Sequence, residues 1–290
     1  MKLAFLGTPE VAAGTLAALV GAGHDVAVVV TRPDKRRGRG PELSPSPVKA
    51  VAVELGLPVV HRVDEALGAG ATLGIVVAYG RLVKPDVLAR LPMVNVHFSL
   101  LPRWRGAAPV ERAVLAGDAV TGACLMKLEE GLDTGPVYAR RQVDIGAEET
   151  VAQLRSRLAA MGTSMLLEAL EAGLPDPVPQ DGEPTYAEKL DVADLALDFS
   201  EPVEVNMRRV RVGRAWTTLR GRRLIVHRAR AGEGAGTERV LAPGELDGCY
   251  VGCATGYLEL LEVQPEGKPA MPAAAWSRGA RVGAGERLGA

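Results

Sequence analysis

Residues 95–106 read Asn95-Val96-His97-Phe98-Ser99-Leu100-Leu101-Pro102-Arg103-Trp104-Arg105-Gly106. This stretch follows the apolar pair Met93-Val94, which is typical of the end of a buried strand, and it breaks at Pro102. Asn95 and His97 are two residues apart, so on a strand their side chains share one face. Polar groups at the carboxyl end of a strand in an open α/β sheet lie where ligands bind. The stretch therefore predicts a strand that ends in a binding site.

Apolar runs and helical patterns alternate on both sides of this stretch. Strands are predicted at residues 3–6, 26–30, 59–60, 75–79 and 94–96, and helices at residues 11–20, 48–55 and 150–172. Strands that alternate with helices favour a parallel α/β sheet with right-handed crossovers, and nearly continuous apolar strands favour burial on both faces. The first part of the chain is therefore predicted to be a Rossmann-like α/β domain.

The pattern changes after residue 173. Residues 174–184 are rich in proline and acidic side chains, which is typical of a linker. Short β-like runs follow at residues 224–226, 250–253 and 257–263, and the Gly/Ala-rich residues 231–236 suggest a hairpin tip. We therefore expect a first domain over residues 1–178, a linker over 179–199, and a small β-barrel or sandwich over 200–290.

Composition excludes several classes of protein. The chain has 290 residues, a net charge of −1 and three cysteines, which cannot all pair and so favour a reducing, cytoplasmic location. The chain has no apolar stretch of about 20 residues, so no membrane span is predicted. Gly-x-Gly-x-x-Gly and the phosphate-loop motif are both absent, so nucleotide cofactors lose support. We expect no metal and a monomer.

Candidate chemistry rests on three polar side chains. Asn95 can donate hydrogen bonds and His97 can titrate, which suits a reaction in which an oxyanion develops and a proton moves. The turn Gly131-Leu132-Asp133-Thr134-Gly135 adds a carboxylate. An ordinary turn aspartate is the alternative, and Asp133 gains a function only if the fold brings it to His97.

Two basic segments stand out against the nearly neutral chain. Residues 31–40 contain Arg32, Lys35, Arg36, Arg37 and Arg39 against the single acid Asp34. Residues 207–230 contain nine arginines and no acid: Arg208, Arg209, Arg211, Arg214, Arg220, Arg222, Arg223, Arg228 and Arg230. A solvated charged surface is the alternative interpretation of both segments. Segregated basic charge on a small β domain favours an RNA-binding surface that contacts phosphates.

Stretches along almost the whole chain resemble those of the methionyl-tRNA formyltransferases, a family of 10-formyltetrahydrofolate-using enzymes. The matching stretches are Phe5-Leu6-Gly7-Thr8-Pro9-Glu10, Thr31-Arg32-Pro33-Asp34-Lys35, Ser46-Pro47-Val48-Lys49, Val77-Ala78-Tyr79-Gly80, residues 95–106, residues 131–135, Tyr186-Ala187-Glu188-Lys189-Leu190 and residues 261–268. Residues 212–216 depart from the family, because they lack its proline-containing run.

The resemblance implies a role for each group of residues. Asn95, His97 and Asp133 match the catalytic trio of the family. Its folate-binding stretch corresponds to Ser99, Leu100, Leu101 and Pro102. Its tRNA-contacting loop corresponds to residues 31–47, with a key arginine at Arg39, and the C-terminal domain would be an OB-like barrel that binds initiator Met-tRNA through side chains that include Arg208, Arg209, Arg211, Arg222 and Arg223.

Two other functions remain open from the residues alone. A formyltransferase that acts on a sugar nucleotide or a purine intermediate would share the trio but would not need the arginine-rich segment. A non-catalytic RNA-binding protein on the same fold would need the arginines but not the trio. Salt-dependent binding of Met-tRNA distinguishes the first alternative, and folate binding distinguishes the second.

Overall fold

The computed structural model describes residues 1–36, 43–232, 240–283 and 285–289. The chain forms two compact units. The first comprises Met1–Val110, Val120–Asp144 and Gln153–Glu188, and the second comprises Glu111–Ala119, Ile145–Ala152 and Lys189–Ala290. Among the described residues, no helix is long and apolar enough to cross a membrane.

Strands and helices alternate up to residue 188. In chain order they are β1 (Lys2–Gly7), α1 (Glu10–Gly21), β2 (Asp25–Val30), β3 (Lys35–Arg36), β4 (Leu43–Ser44), α2 (Pro47–Glu54), β5 (Val59–Val60), a 3-10 helix (Asp64–Ala69), β6 (Leu73–Val77), α3 (Pro85–Leu88), β7 (Met93–His97), β8 (Arg105–Gly106), α4 (Pro109–Ala116), β9 (Val120–Lys127), β10 (Val137–Asp144), α5 (Val151–Ala172) and β11 (Tyr186–Ala187).

Seven of these strands form the main sheet of the first unit, in the order β10-β9-β7-β6-β1-β2-β5. The five strands from β7 to β5 are parallel, which confirms the predicted parallel α/β sheet. An antiparallel pair, β9 and β10, extends the sheet beside β7 and was not predicted from the sequence. The site strand β7 is therefore an interior strand, with β6 on one side and β9 on the other.

Burial on both faces fixes the position of β7. Its residues Met93, Val94 and Val96 are almost fully buried, as the apolar run predicts. Helix α5 packs closely against this strand, because a Cβ atom at Gly162 would lie 2.6 Å from the Cγ1 atom of Val96. Any larger residue at 162 would push the helix away from the strand that carries Asn95 and His97.

Residues 178–187, which we call the strap, lie mostly within the predicted linker over 179–199 and pair with strands of the first unit. Val178 exchanges two backbone hydrogen bonds with Val137, at N–O distances of 2.8 and 2.9 Å. Strand β11 at the other end of the strap pairs in parallel with β8. The first unit therefore extends to Glu188. Composition alone suggested a linker because prolines and acids also occur in segments that long-range pairing holds in place.

The second unit contains a curled antiparallel sheet. Beyond residue 188 the elements are a 3-10 helix (Ala193–Leu195), α6 (Val203–Val212), β12 (Ala215–Leu219), β13 (Arg222–Gly232), β14 (Leu246–Asp247), β15 (Tyr250–Gly252), β16 (Tyr257–Pro265), β17 (Met271–Pro272) and α7 (Ala273–Ala280). The strand order is β12-β13-β16-β15-β14, with β17 on β16. The predicted hairpin tip lies partly outside the described residues, because these stop at 232 and resume at 240.

Two features curve this sheet into a half-barrel. The pairing of β13 with β16 shifts register around Arg228, and such irregularities increase strand twist. The C-terminal segment bonds to both edges of the sheet: Leu219 bridges Leu288, and Glu245 bridges Arg287. Apolar side chains from β12, β13, β15 and β16 then meet on the concave side with Trp276 of α7.

Candidate active site

A cavity of about 400 Å³ opens at the carboxyl ends of β6 and β7. Its polar lining includes Asn95, His97 and Asp133. The loop after β6 and the loop after β9 supply most of the remaining wall, at residues 78–83 and 128–132. This position agrees with the rule that ligands of open α/β sheets bind beyond the carboxyl ends of the strands, and the volume suits a small organic molecule.

Asn95 presents an unused amide to this cavity. The residue pairs with Val76 of β6 and Met126 of β9, so both neighbouring strands fix its backbone. Its side chain is half-buried, and among the described residues it has no hydrogen-bond partner. The two N–H groups of the amide are therefore available to a ligand oxygen.

Both ring nitrogens of His97 have a defined neighbour. Nε2 donates to the backbone carbonyl of Trp104 at 3.0 Å, and Nδ1 lies 3.6 Å from Oδ2 of Asp133. The ring is only 5% exposed. Because a carbonyl oxygen can only accept, Nε2 carries a proton in this arrangement, and Nδ1 is the nitrogen that faces the carboxylate.

The Asp133 carboxylate is held from a second direction. Its Oδ2 atom accepts a hydrogen bond from the backbone N–H of Gly106 at 2.8 Å. The Asp133 backbone has φ of +50°, a left-handed conformation that is unusual for a residue other than glycine. The fold thus brings Asp133 to His97, which was the condition for its proposed function.

The four residues predicted to bind folate do not line the cavity. The Oγ atom of Ser99 is buried and donates to the carbonyl of Arg103 at 2.6 Å. Leu101 packs into the core against side chains of β9 and β10, namely Cys124, Met126 and Val137. Leu100 and Pro102 are half-buried in the same turn. The role of residues 99–102 in folate binding therefore stays a prediction, and the observed contacts of Ser99 and Leu101 lie within the fold.

The cavity walls at residues 78–83 and 128–132 were missed by sequence reasoning. The first loop begins with two left-handed residues, Ala78 at φ +46° and Gly80 at +72°. It exposes Leu82, which is 80% accessible, and the second loop exposes Leu132 at the cavity mouth. The available signal was the position of Gly80 directly after the strand predicted at residues 75–79, where parallel sheets place ligand-binding loops.

The loop at residues 31–47, which contains the first basic segment, is anchored at both of its ends. The buried hydroxyls of Thr31 and Ser46 lie 2.8 Å apart, and Ser46 caps α2 through the Lys49 N–H. Lys49 also pairs with Asp34 at 2.8 Å. Beyond this anchor, Lys35 and Arg36 are exposed in the short hairpin of β3 and β4, whereas Arg32 is half-buried. Arg37 and Arg39 lie outside the described residues.

The predicted arginines of the second unit divide into two groups. Arg222 and Arg223 are exposed on β13, and the Arg223 guanidinium stacks on Trp216 at 4.4 Å from the ring centre. Arg211 instead donates to the carbonyls of Glu149 and Gly146, both at 2.8 Å, and burial lowers the pKa of its guanidinium.

Arg208 and Arg209 resemble Arg211 rather than Arg222. The Arg208 guanidinium packs against Gly117, where it occupies the space that a side chain would need. Arg209 donates to Oδ1 of Asn206 at 3.2 Å. These contacts lie within the second unit, and the role of the α6 arginines in tRNA binding stays a prediction.

An amide, an imidazole and a carboxylate lie together at the carboxyl edge of a parallel α/β sheet, an arrangement that suits an enzyme that transfers an acyl group. The chain belongs to the formyl transferase family. The family model for formyl transferase matches residues 1–170, and the model for the formyl transferase C-terminal domain matches residues 189–281.

Similar proteins match the chain over nearly its full length. The methionyl-tRNA formyltransferase of Roseobacter denitrificans is 44% identical, with 97% of each chain covered. The methionyl-tRNA formyltransferase of Thermus thermophilus is 45% identical, with 100% of this chain and 99% of that protein covered. These identities extend across both family domains.

Solved structures share the fold at lower identity. HypX from Aquifex aeolicus in complex with tetrahydrofolic acid has a TM-score of 0.68 at 17% identity, covering 96% of this chain and 47% of that one. The N-formyltransferase from Helicobacter canadensis has a TM-score of 0.67 at 14% identity, covering 90% and 99%. At such identities the likeness concerns the fold alone.

Proposed function

We propose that this chain transfers the formyl group of 10-formyltetrahydrofolate to the α-amino group of methionine on initiator Met-tRNA. The observation that carries the proposal is the shared cavity of Asn95, His97 and Asp133 in a chain with close, full-length similarity to methionyl-tRNA formyltransferases. The cavity supports formyl transfer, and the similarity over the second unit supports a tRNA acceptor.

The cavity fits the folate donor by size and chemistry. Its apolar lining, including Val76, Val83 and Val96, suits a flat ring system, and Asn95, His97 and Asp133 are among its polar side chains. The loops at residues 78–83 and 128–132 would hold the ring. When bound, the donor supplies a formyl group on a nitrogen atom, and the three polar side chains would then surround that formyl group.

Each of the three side chains has a separate task in this proposal. The free amide of Asn95 donates to the formyl oxygen, on which negative charge grows when the methionyl amine attacks. One such donor is worth about 3–4 kcal/mol. His97, in its imidazolium form, adds charge stabilisation at the same oxygen. Asp133 pairs with that imidazolium and takes part in removing a proton from the attacking amine. The bond between the formyl carbon and the folate nitrogen would then break, and a proton would pass to that nitrogen, so that tetrahydrofolate leaves.

We assign transfer RNA binding to the two basic segments. In the second unit, Arg222, Arg223 and Arg228 are exposed, and Arg208, Arg209 and Arg211 of α6 make the contacts described above. In the first unit we assign the loop at residues 31–47, where Lys35 and Arg36 are exposed and Arg32 is half-buried; Arg37 and Arg39 of that loop lie outside the described residues. Phosphate contacts of this kind make binding salt-dependent.

We further propose an OB-like barrel for the second unit. The curled sheet and the bonding of the C-terminal segment to both edges support it. Residues 1–178 with the strap would then form the catalytic domain, and residues 200–290 would form the tRNA-binding domain.

The proposed activity is tested by incubating the protein with formyl-labelled 10-formyltetrahydrofolate and one acceptor at a time. The acceptors are initiator Met-tRNA, elongator Met-tRNA, an amino-sugar nucleotide and glycinamide ribonucleotide. Label should transfer to initiator Met-tRNA, far less to the elongator, and not to the small acceptors. Preferential labelling of a small acceptor would refute the tRNA assignment, and failure to bind any folate would refute formyl transfer.

A further inference from the structure

Gln180 of the strap holds the loop that carries Asp133. Its Nε2 atom donates to the backbone carbonyls of Asp133 and Gly135, both at 2.8 Å. In the same loop Gly131, Leu132 and Thr134 are exposed, whereas Gly135 is buried. Asp133 itself adopts a left-handed conformation, which persists only when surrounding contacts determine it.

The orientation of the Gln180 amide is fixed by Arg105. The Nε and Nη2 atoms of Arg105 donate to Oε1 of Gln180 at 3.1 and 2.7 Å. A guanidinium has no acceptor atom, so the oxygen of the amide must face Arg105 and the nitrogen must face the two carbonyls. The amide therefore links Arg105, the first residue of β8, to the loop that carries Asp133.

The same strap also positions the backbone groups that contact His97 and Asp133, which are the Trp104 carbonyl and the Gly106 N–H. Thr185 accepts a hydrogen bond from the Trp104 N–H through Oγ1 at 2.9 Å, and the Trp104 carbonyl is the partner of His97. Ala187 pairs with Gly106, whose N–H donates to Asp133. A Cβ atom at Gly106 would lie 2.8 Å from the Ala187 carbonyl oxygen, so strands β8 and β11 are in close contact.

We infer that Gln180 is a positioning residue for Asp133: through its two carbonyl contacts it keeps the Asp133 carboxylate beside His97 Nδ1. Gln180 is absent from the cavity lining, so it acts through Asp133 and not on the substrate. This inference rests on the proposed role of Asp133. A displacement of about 1 Å at a reacting group can slow catalysis a hundredfold, so removing the two donors is expected to have a large kinetic effect.

Gln180→Glu is the variant that separates positioning from stability. The glutamate still accepts from Arg105, but its second oxygen faces two carbonyl oxygens and repels them. Gln180→Met removes donors and acceptor alike at nearly constant length. Gln142→Glu on the exposed surface of β10 is the matched control, and Asp133→Asn is measured in parallel. Each full-length variant is assayed for kcat, KM for Met-tRNA, the pH profile of kcat, and thermal unfolding.

Gln180→Glu should lower kcat about tenfold to a hundredfold, with KM for Met-tRNA and the melting temperature close to those of Gln142→Glu. Its pH profile should change in the same direction as that of Asp133→Asn. A kcat within about twofold of the control, while Asp133→Asn is strongly slowed, would overturn the inference alone. Near-normal activity of Asp133→Asn would instead remove the proposed role of Asp133. Unfolding of both Gln180 variants would make the residue purely structural and would also overturn the inference.

Discussion

Asp133→Asn is expected to disable the site while leaving the fold intact. The change preserves the shape of the side chain, and the amide oxygen can still accept from the Gly106 N–H. The negative charge opposite His97 is lost. The side chains of His97 and Asp133 are 6% and 12% exposed, so their interaction is weakly screened and an effective dielectric constant of about 20 is appropriate.

The separation of 3.6 Å between Nδ1 and Oδ2 sets the size of the effect. At that dielectric constant, a unit positive charge and a unit negative charge this close attract by about 4–5 kcal/mol. If the imidazolium form is needed at the transition state, losing this attraction corresponds to a decrease of about a thousandfold in kcat.

Single-turnover transfer of labelled formyl to initiator Met-tRNA, at saturating folate donor, is the assay for this variant. Asp176→Asn is the control, since Asp176 is exposed in the segment after α5. The control should retain the wild-type rate. A rate for Asp133→Asn within about tenfold of wild type, in a folded protein, would refute the charge argument, because the predicted loss is far larger.

Three further outcomes are expected. Gly106→Ala should lower the free energy of unfolding by about 3–5 kcal/mol in urea titrations, because φ is +125° and the new methyl group meets the Ala187 carbonyl. Gly21→Ala, where a Cβ has open space, should change the free energy of unfolding by less than about 1 kcal/mol. Equal destabilisation by the two substitutions would contradict the clash at Gly106. Burial raises the pKa of the Cys253 thiol to about 11, so iodoacetamide at pH 8 should label it far more slowly in the folded than in the urea-unfolded protein. Equal rates would contradict its burial. Arg222→Ala should raise KM for Met-tRNA and reduce the salt dependence of binding by about one unit in slope, whereas Arg62→Ala, on an exposed ion pair with Asp64, should do neither.

Local patterns were sufficient to predict the parallel part of the sheet. Each of its strands contains a short apolar run, which is buried in four strands and half-buried in β5. The shared face of Asn95 and His97 follows from the alternation of side chains along β7. The antiparallel pair β9 and β10 was not predictable in the same way. The β10 sequence carries Arg140, Arg141 and Gln142, so it lacks the apolar run that marks a buried strand, and its pairing depends on contacts with β9.

Long-range contacts also explain the other differences. Leu101 could not be assigned to the core without β9 and β10, because those strands supply the side chains that cover it. The contact between Asp133 and His97 joins the end of strand β7 to the loop after β9, which no local pattern reports. Gln180 lies among prolines and acids, and its role follows only from partners that are 45 and 47 residues away in sequence.

The most direct test of the site is a double-mutant cycle on His97 and Asp133, measured by single-turnover formyl transfer to initiator Met-tRNA. His97→Ala and Asp133→Asn should each be strongly impaired. Because Asp133 acts through His97, the double variant should be no more than a few-fold slower than the slower single variant. Losses that multiply in the double variant would show that the two residues act independently and would contradict their pairing in formyl transfer.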